Sequence, residues 1–191
     1  MTTLAFFLEE ASAEAMLKGL LPRCLPEETE ILYHAFDGKQ SLKKHLVRRL
    51  RLWQKPDTRF IVLCDQDSGK CEDIKRELTR LCTEAGHPEA LVRIACHELE
   101  SFYLGDLAAV EAGLGLRSLS REQARSKYRK PDRLANAAEE LRKLSGDRYQ
   151  KIAGSRAIAP HLRLDEGGNA SESFRALLSG IRRVFEETQI A

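Results

Sequence analysis

FIVLCDQDSGK, residues 60–70, sets two aspartates one residue apart at the end of Phe60–Cys64, the most apolar run in the chain. A short, continuous apolar run bounded by turn residues reads as a strand buried on both faces. We expect a strand over 59–64. A helix follows from Cys71, with Ile74, Leu78 and Leu81 on one face and Gly86 as its stop. The same strand-then-helix unit is repeated on either side. Upstream, LAFFLE (4–9) leads through Ser12, a helix cap by residue type, into a helix that Pro22 ends. Next, EILYHAF (30–36) leads through DGKQS, with Ser41 as a cap, into a helix whose Leu42, Leu46, Leu50 and Trp53 form one stripe. Downstream, ALVRIAC (90–96) runs into ELESFYLGDLAAVEAG, read as one helical stretch.

Four alternations with short joints predict an α/β protein with a mostly parallel, four-stranded, Rossmann-like sheet flanked by helices. Residues 1–110 form that α/β core. Residues 111–191 read as a mainly helical C-terminal extension packed on the same domain. There SREQARSKY opens on a capping box between Ser120 and Gln123, NAAEELRKL follows, and SESFRALLSGIRRVFEE closes the chain. YQKIAGSRAIAPHL, rich in turn residues, is left without an element.

The chain has 191 residues, 42% of them hydrophobic and 31% charged, enough to bury a core and unlike a disordered protein. No apolar stretch reaches membrane-spanning length, and MTTLAFFLEE lacks a basic leader, so a cytoplasmic location with no membrane contact is expected. Five cysteines without a C-x-x-C pair suggest neither a disulfide framework nor a zinc knuckle. Net charge is only +2, but eight Lys or Arg residues stand against one acid between Lys39 and Arg59. A basic run is usually a solvated helix face, and it is also what a polyanion would meet.

The acids collect at strand ends, where parallel sheets bind ligands. Glu9 and Glu10 close the first predicted strand, Asp65 and Asp67 the third, and Glu98 and Glu100 follow the fourth. Clustered carboxylates repel unless protonated or bridged by a cation, and hard oxygen donors suit Mg or Mn. Acids after strands also cap helices or pair with lysines, and both readings stand at this point. Within a helix, Glu98 and Glu100 would point nearly oppositely. Calcium-loop, phosphate-loop and zinc-protease patterns fail on spacing, and a thiol nucleophile at Cys64, Cys71 or Cys96 would need a base that only His97 offers by sequence.

FFLEEASAEAML and FIVLCDQDSGKC resemble the two acidic motifs of the Toprim domain, the catalytic module of topoisomerases, primases and OLD-type nucleases. The chain as a whole resembles a group of small bacterial Toprim-like proteins of unknown function, through LLP, DGKQSL, RIACHELESFYLGD and YQKIAGSRAIAPHL. The resemblance implies a nuclease hydrolysing DNA or RNA with Mg or Mn held by Glu9 or Glu10, Asp65 and Asp67. Glu98 or Glu100 would then be an outer ligand or proton acceptor. Lys151 matches a downstream catalytic lysine, and Lys39, Arg156 and His161 would meet phosphate. Glu10 replaces the glycine usual after the family glutamate. The resemblance further implies an ATPase partner in bacterial defence against phage. The rival reading is a non-catalytic metal- or partner-binding regulatory subunit of an ATPase-containing complex.

Overall fold

The computed structural model describes residues 2–190, with side chains described through residue 187. Four strands, β1 (Thr3–Leu8), β2 (Glu30–Ala35), β3 (Thr58–Asp65) and β4 (Leu91–Ala95), form one wholly parallel sheet in the order β2-β1-β3-β4. The α/β architecture and its helical C-terminal extension are those expected from the sequence. In register, Leu8 of β1 lies beside Leu63 of β3, so residue 9 emerges next to residues 64 and 65. The chain winds outward from β1 to β2 and then crosses back to β3. The β1–β3 seam is therefore the switch point where such sheets open a crevice at their carboxyl ends.

Alternation of side chains divides the core into two layers. Phe7, Phe60, Val62 and Ile94 face α2 (Lys39–Arg51) and α3 (Cys71–Glu84). Phe6, Leu8, Ile61 and Leu63 face α1 (Ala11–Leu20) and the C-terminal helices. Those are α4 (Glu100–Leu104), α5 (Leu107–Gly113), α6 (Ala137–Leu144), α7 (Lys151–Ile158) and α8 (Glu172–Ile190). Both faces of the central strands are thereby buried, which is why β1 and the Phe60–Cys64 run of β3 are continuously apolar, whereas the edge strand β2 is only half-buried and carries Glu30 and His34. Among the described residues no helix is long and apolar enough to cross a membrane.

The local differences from expectation have physical causes. Ser12 and Ser41 are not caps: each lies inside its helix, and α2 starts three residues earlier because Gly38, at φ +88°, turns the chain without a side-chain cap. The helix expected after β4 is split into α4 and α5. The segment Asn169–Ser171 presses on Gly105, where an added Cβ would lie 2.0 Å from Asn169 Oδ1, and Asp106 recaps the chain by accepting from the Ala109 N–H at 3.3 Å. The Ser120–Gln123 capping box does not form. Gln123 instead accepts from the Leu107 N–H and donates to the carbonyls of Leu104 and Tyr128, holding a run of short 3-10 turns against α5. YQKIAGSRAIAPHL carries α7 and a closing 3-10 turn.

Candidate functional site

Glu9 leaves β1 at the switch point and is turned inward, only 8% exposed. Its Oε2 accepts the backbone N–H of Asp65 at 2.9 Å and the thiol of Cys64 at 3.0 Å, so the first and third strand ends are tied through one carboxylate. Burial and this bond to Glu9 push the Cys64 thiol well above its ordinary pKa, which leaves it a proton donor rather than a nucleophile. Asp65 Oδ2 accepts from the Leu99 N–H at 3.2 Å, just where α4 begins.

The loops after β3 and β4 brace one another. The Gln66 N–H donates to Ala95 O at 2.9 Å and the Asp67 N–H to His97 O at 2.7 Å, while Gln66 Oε1 accepts from the His97 N–H at 3.2 Å. Asp67 (φ 54°) and His97 (φ 57°) both adopt the left-handed conformation, a small cost that the paired turns sustain. Asp67 is consequently turned out to solvent, where Lys39 meets it at 2.5 Å and also donates to Gln66 O at 3.2 Å.

Glu100 points into the protein, 1% exposed, and accepts from the Tyr149 hydroxyl at 2.8 Å. Two residues along, Lys151 at the start of α7 pairs with Glu10 at 2.9 and 3.2 Å. The short stretch Tyr149–Lys151 therefore engages both Glu100 and Glu10. Gly154 makes this packing feasible, because a Cβ there would lie 2.4 Å from the Tyr149 ring. Sequence reasoning missed Tyr149 and Gln66, since a lone tyrosine in an unassigned segment and a glutamine between two aspartates carry no periodic signal.

The charges are crowded. Asp65 is held well above the usual carboxylate range by burial first, then by Glu9 and Glu100, with the Leu99 N–H pulling the other way. Burial likewise raises Glu100, against the opposing pull of the Tyr149 hydroxyl and Lys151. For Lys151, burial works against the ammonium, but Glu10, Glu100 and Asp65 together hold its pKa above the ordinary value. Lys39 is raised in the same way, with Asp67 and Glu9 outweighing burial.

The remaining expected residues lie elsewhere. Glu98 accepts from the Ala138 N–H at 2.8 Å and so caps α6. Arg156 lines a groove between α1 and α7 with Glu14, Lys18 and Ile152, and His161 is exposed in the turn that follows α7. Among the described residues, no group of three or more His, Cys, Asp or Glu side chains stands ready to hold a metal ion. Glu9 is engaged with backbone, and Glu10 and Asp67 are turned to lysines. The donor set is nonetheless all hard oxygen, and burial disfavours ionising its inner members, Asp65 and Glu100.

A family model described as a domain of unknown function (DUF4276) matches residues 8–182. No curated protein and no solved structure matches the chain.

Proposed function

The chain belongs to the DUF4276 family, and from the geometry of its strand-end carboxylates we propose that it is an Mg- or Mn-dependent nuclease. The observation that carries this reading is the meeting of Glu9 and Asp65 at the switch point, where Glu9 Oε2 accepts the Asp65 N–H at 2.9 Å and burial, followed by Glu9 and Glu100, raises the cost of ionising Asp65. A divalent cation relieves that cost. Glu9 and Asp65 would hold it, with Asp67 or Glu10 joining once released from its lysine. Held there, a divalent cation would supply Lewis acidity toward a phosphoryl oxygen and make water more acidic.

The chain's own residues supply the rest. Lys39 and Lys151 flank the carboxylates and are positioned to offset charge that develops on a phosphate. Glu100, held by Tyr149, keeps a proton site at the rear of the cluster. Nucleic acid, DNA or RNA, is the substrate class, and a phage-defence setting with an ATPase partner is part of the proposal.

The test is thermal unfolding with and without millimolar Mg²⁺ or Mn²⁺, comparing wild type with the Asp65→Asn, Asp67→Asn double variant. A cation that binds only the folded state at a hundredfold excess over its Kd adds about 2.7 kcal/mol. A rise in Tm confined to wild type supports the reading and justifies cleavage assays on DNA and RNA. No rise in either protein refutes it. The second reading, a non-catalytic subunit of an ATPase-containing complex, is favoured by the lysines that already neutralise Glu10 and Asp67. It expects biological activity to survive the double substitution.

A further inference from the structure

At the opposite end of α2 from Lys39, a cavity of about 410 Å³ opens beside the edge strand β2, lined by His34, His45, Arg48, Arg49, Leu52 and Trp53. About 1.5 Å of rise per residue places Arg48 roughly 13 Å along the helix from Lys39. The cavity is thus separate from the carboxylate site and does not depend on the metal reading.

Its chemistry is one-sided. No carboxylate lines it, and among the described residues Arg48, Arg49 and His45 make no ion pair, whereas their neighbour Arg51 is drawn off to Glu84 on α3. Arginines at a helix C-terminus are welcome to the helix itself, and that alone would account for a solvated basic turn. It does not account for the apolar partner surface. Leu52 is 60% exposed, the highest value among the large hydrophobic residues described.

Trp53 lies at the same place and is fixed by its contacts. Its indole N–H donates to Thr58 Oγ1 at 3.0 Å, and its ring meets Phe60 and His34 edge-on at 5.4 and 5.5 Å. Burial and the Arg49 guanidinium hold His34 below the ordinary imidazole pKa, so it presents a neutral flat ring. Cations beside a preformed aromatic and aliphatic surface suit a ligand with an anionic end and a planar apolar end.

We propose that this cavity is a nucleotide-binding site, in which Arg48, Arg49 and His45 take a phosphate and the base lies against Leu52, His34 and Trp53. The carbonyl end of α2 repels phosphate, so the guanidiniums supply the attraction and are the residues to remove. A free nucleotide and one unit of a nucleic-acid strand share this chemistry.

Trp53 is the chain's single tryptophan, so its emission reads this cavity directly. The full chain, without added metal, is titrated with adenosine monophosphate, a short single-stranded oligodeoxyadenylate and inorganic phosphate. Saturable quenching by the nucleotide or the oligonucleotide is expected, weakened at least tenfold in Arg48→Ala, Arg49→Ala. It should persist in Arg117→Ala, Arg121→Ala, which removes equal charge from another exposed stretch. Tighter binding of the oligonucleotide assigns the site to a strand, and equal or weaker binding to a free nucleotide. The proposal is overturned by no quenching at millimolar ligand, by equal quenching in the Arg48, Arg49 variant, or by phosphate competing as well as the nucleotide. None of these results bears on the metal-dependent shift, so the two readings fail separately.

Discussion

Gly154 offers a test in which local propensity and tertiary packing predict opposite signs. It lies inside α7, where alanine is favoured over glycine by about 1 kcal/mol. By that measure Gly154→Ala stabilises the protein. The structure says otherwise, because the new Cβ would lie 2.4 Å from Cδ2 and 2.6 Å from Cε2 of Tyr149. That ring cannot simply step aside. It is 2% exposed, its backbone N–H is bonded to Ser145 Oγ at 3.0 Å, and its hydroxyl to Glu100 at 2.8 Å. Overpacking costs about 1–3 kcal/mol, and stripping a buried carboxylate of its donor about 1–3 kcal/mol more. Set against the helical gain, the net loss is about 3 kcal/mol, or roughly 6–12 °C in Tm for a chain of this size. Thermal and urea unfolding of Gly154→Ala, Tyr149→Phe and the double variant measure it. The double variant should lose less than the sum of the singles, since both act on one bond. A Gly154→Ala protein as stable as wild type would refute the close packing of Tyr149 on α7, and with it the placement of Glu100.

Three further outcomes are expected. Asp65 has a folded-state pKa above its unfolded value, so its protonated form contributes stability that is present below the unfolded pKa and lost as pH rises through the folded one. Asp65→Asn without metal should therefore be more stable than wild type near pH 7, with the gap closing as pH falls. A less stable variant at neutral pH would contradict the crowding. Asp106 is fully buried and accepts from the N–H groups of Ala109 and Arg163 and from Arg163 Nε, so Asp106→Ala should cost about 3 kcal/mol, read as a lower urea midpoint at constant slope. Lys39→Ala frees Asp67, an exposed pairing worth about 1 kcal/mol at most. On the metal reading it should tighten Mg²⁺ or Mn²⁺ binding several-fold in calorimetric titration while reducing cleavage. Unchanged or weaker binding would remove Lys39 as a competitor for the carboxylate.

Much of the scaffold was legible because burial writes itself into sequence at short range. Runs such as Phe60–Cys64 are continuous because both faces of β3 are covered, and Ile74, Leu78 and Leu81 recur at helical spacing because one face of α3 is. Errors arose where a distant segment overrode a local signal. Asn169 splits the helix after β4 at Gly105, and Gln123 spends its side chain on α5 instead of its own cap. The turn-rich YQKIAGSRAIAPHL hid α7, whose Gly154 is there for a ring to pack on.

By itself the sequence determined the alternation of strands and helices, the parallel sheet that follows from it, and the placing of acids after the first, third and fourth strands. Periodicity and turn chemistry act within a few residues, so one chain is enough to read them. The tertiary structure alone decided which acids face inward and what meets them. Strand order brought Glu9 to Asp65 across 56 positions, and the packing of helices on the sheet brought Tyr149 to Glu100 across 49 and Lys151 to Glu10 across 141. Contacts at such separations are set by how the layers close on the sheet, and no local pattern encodes them.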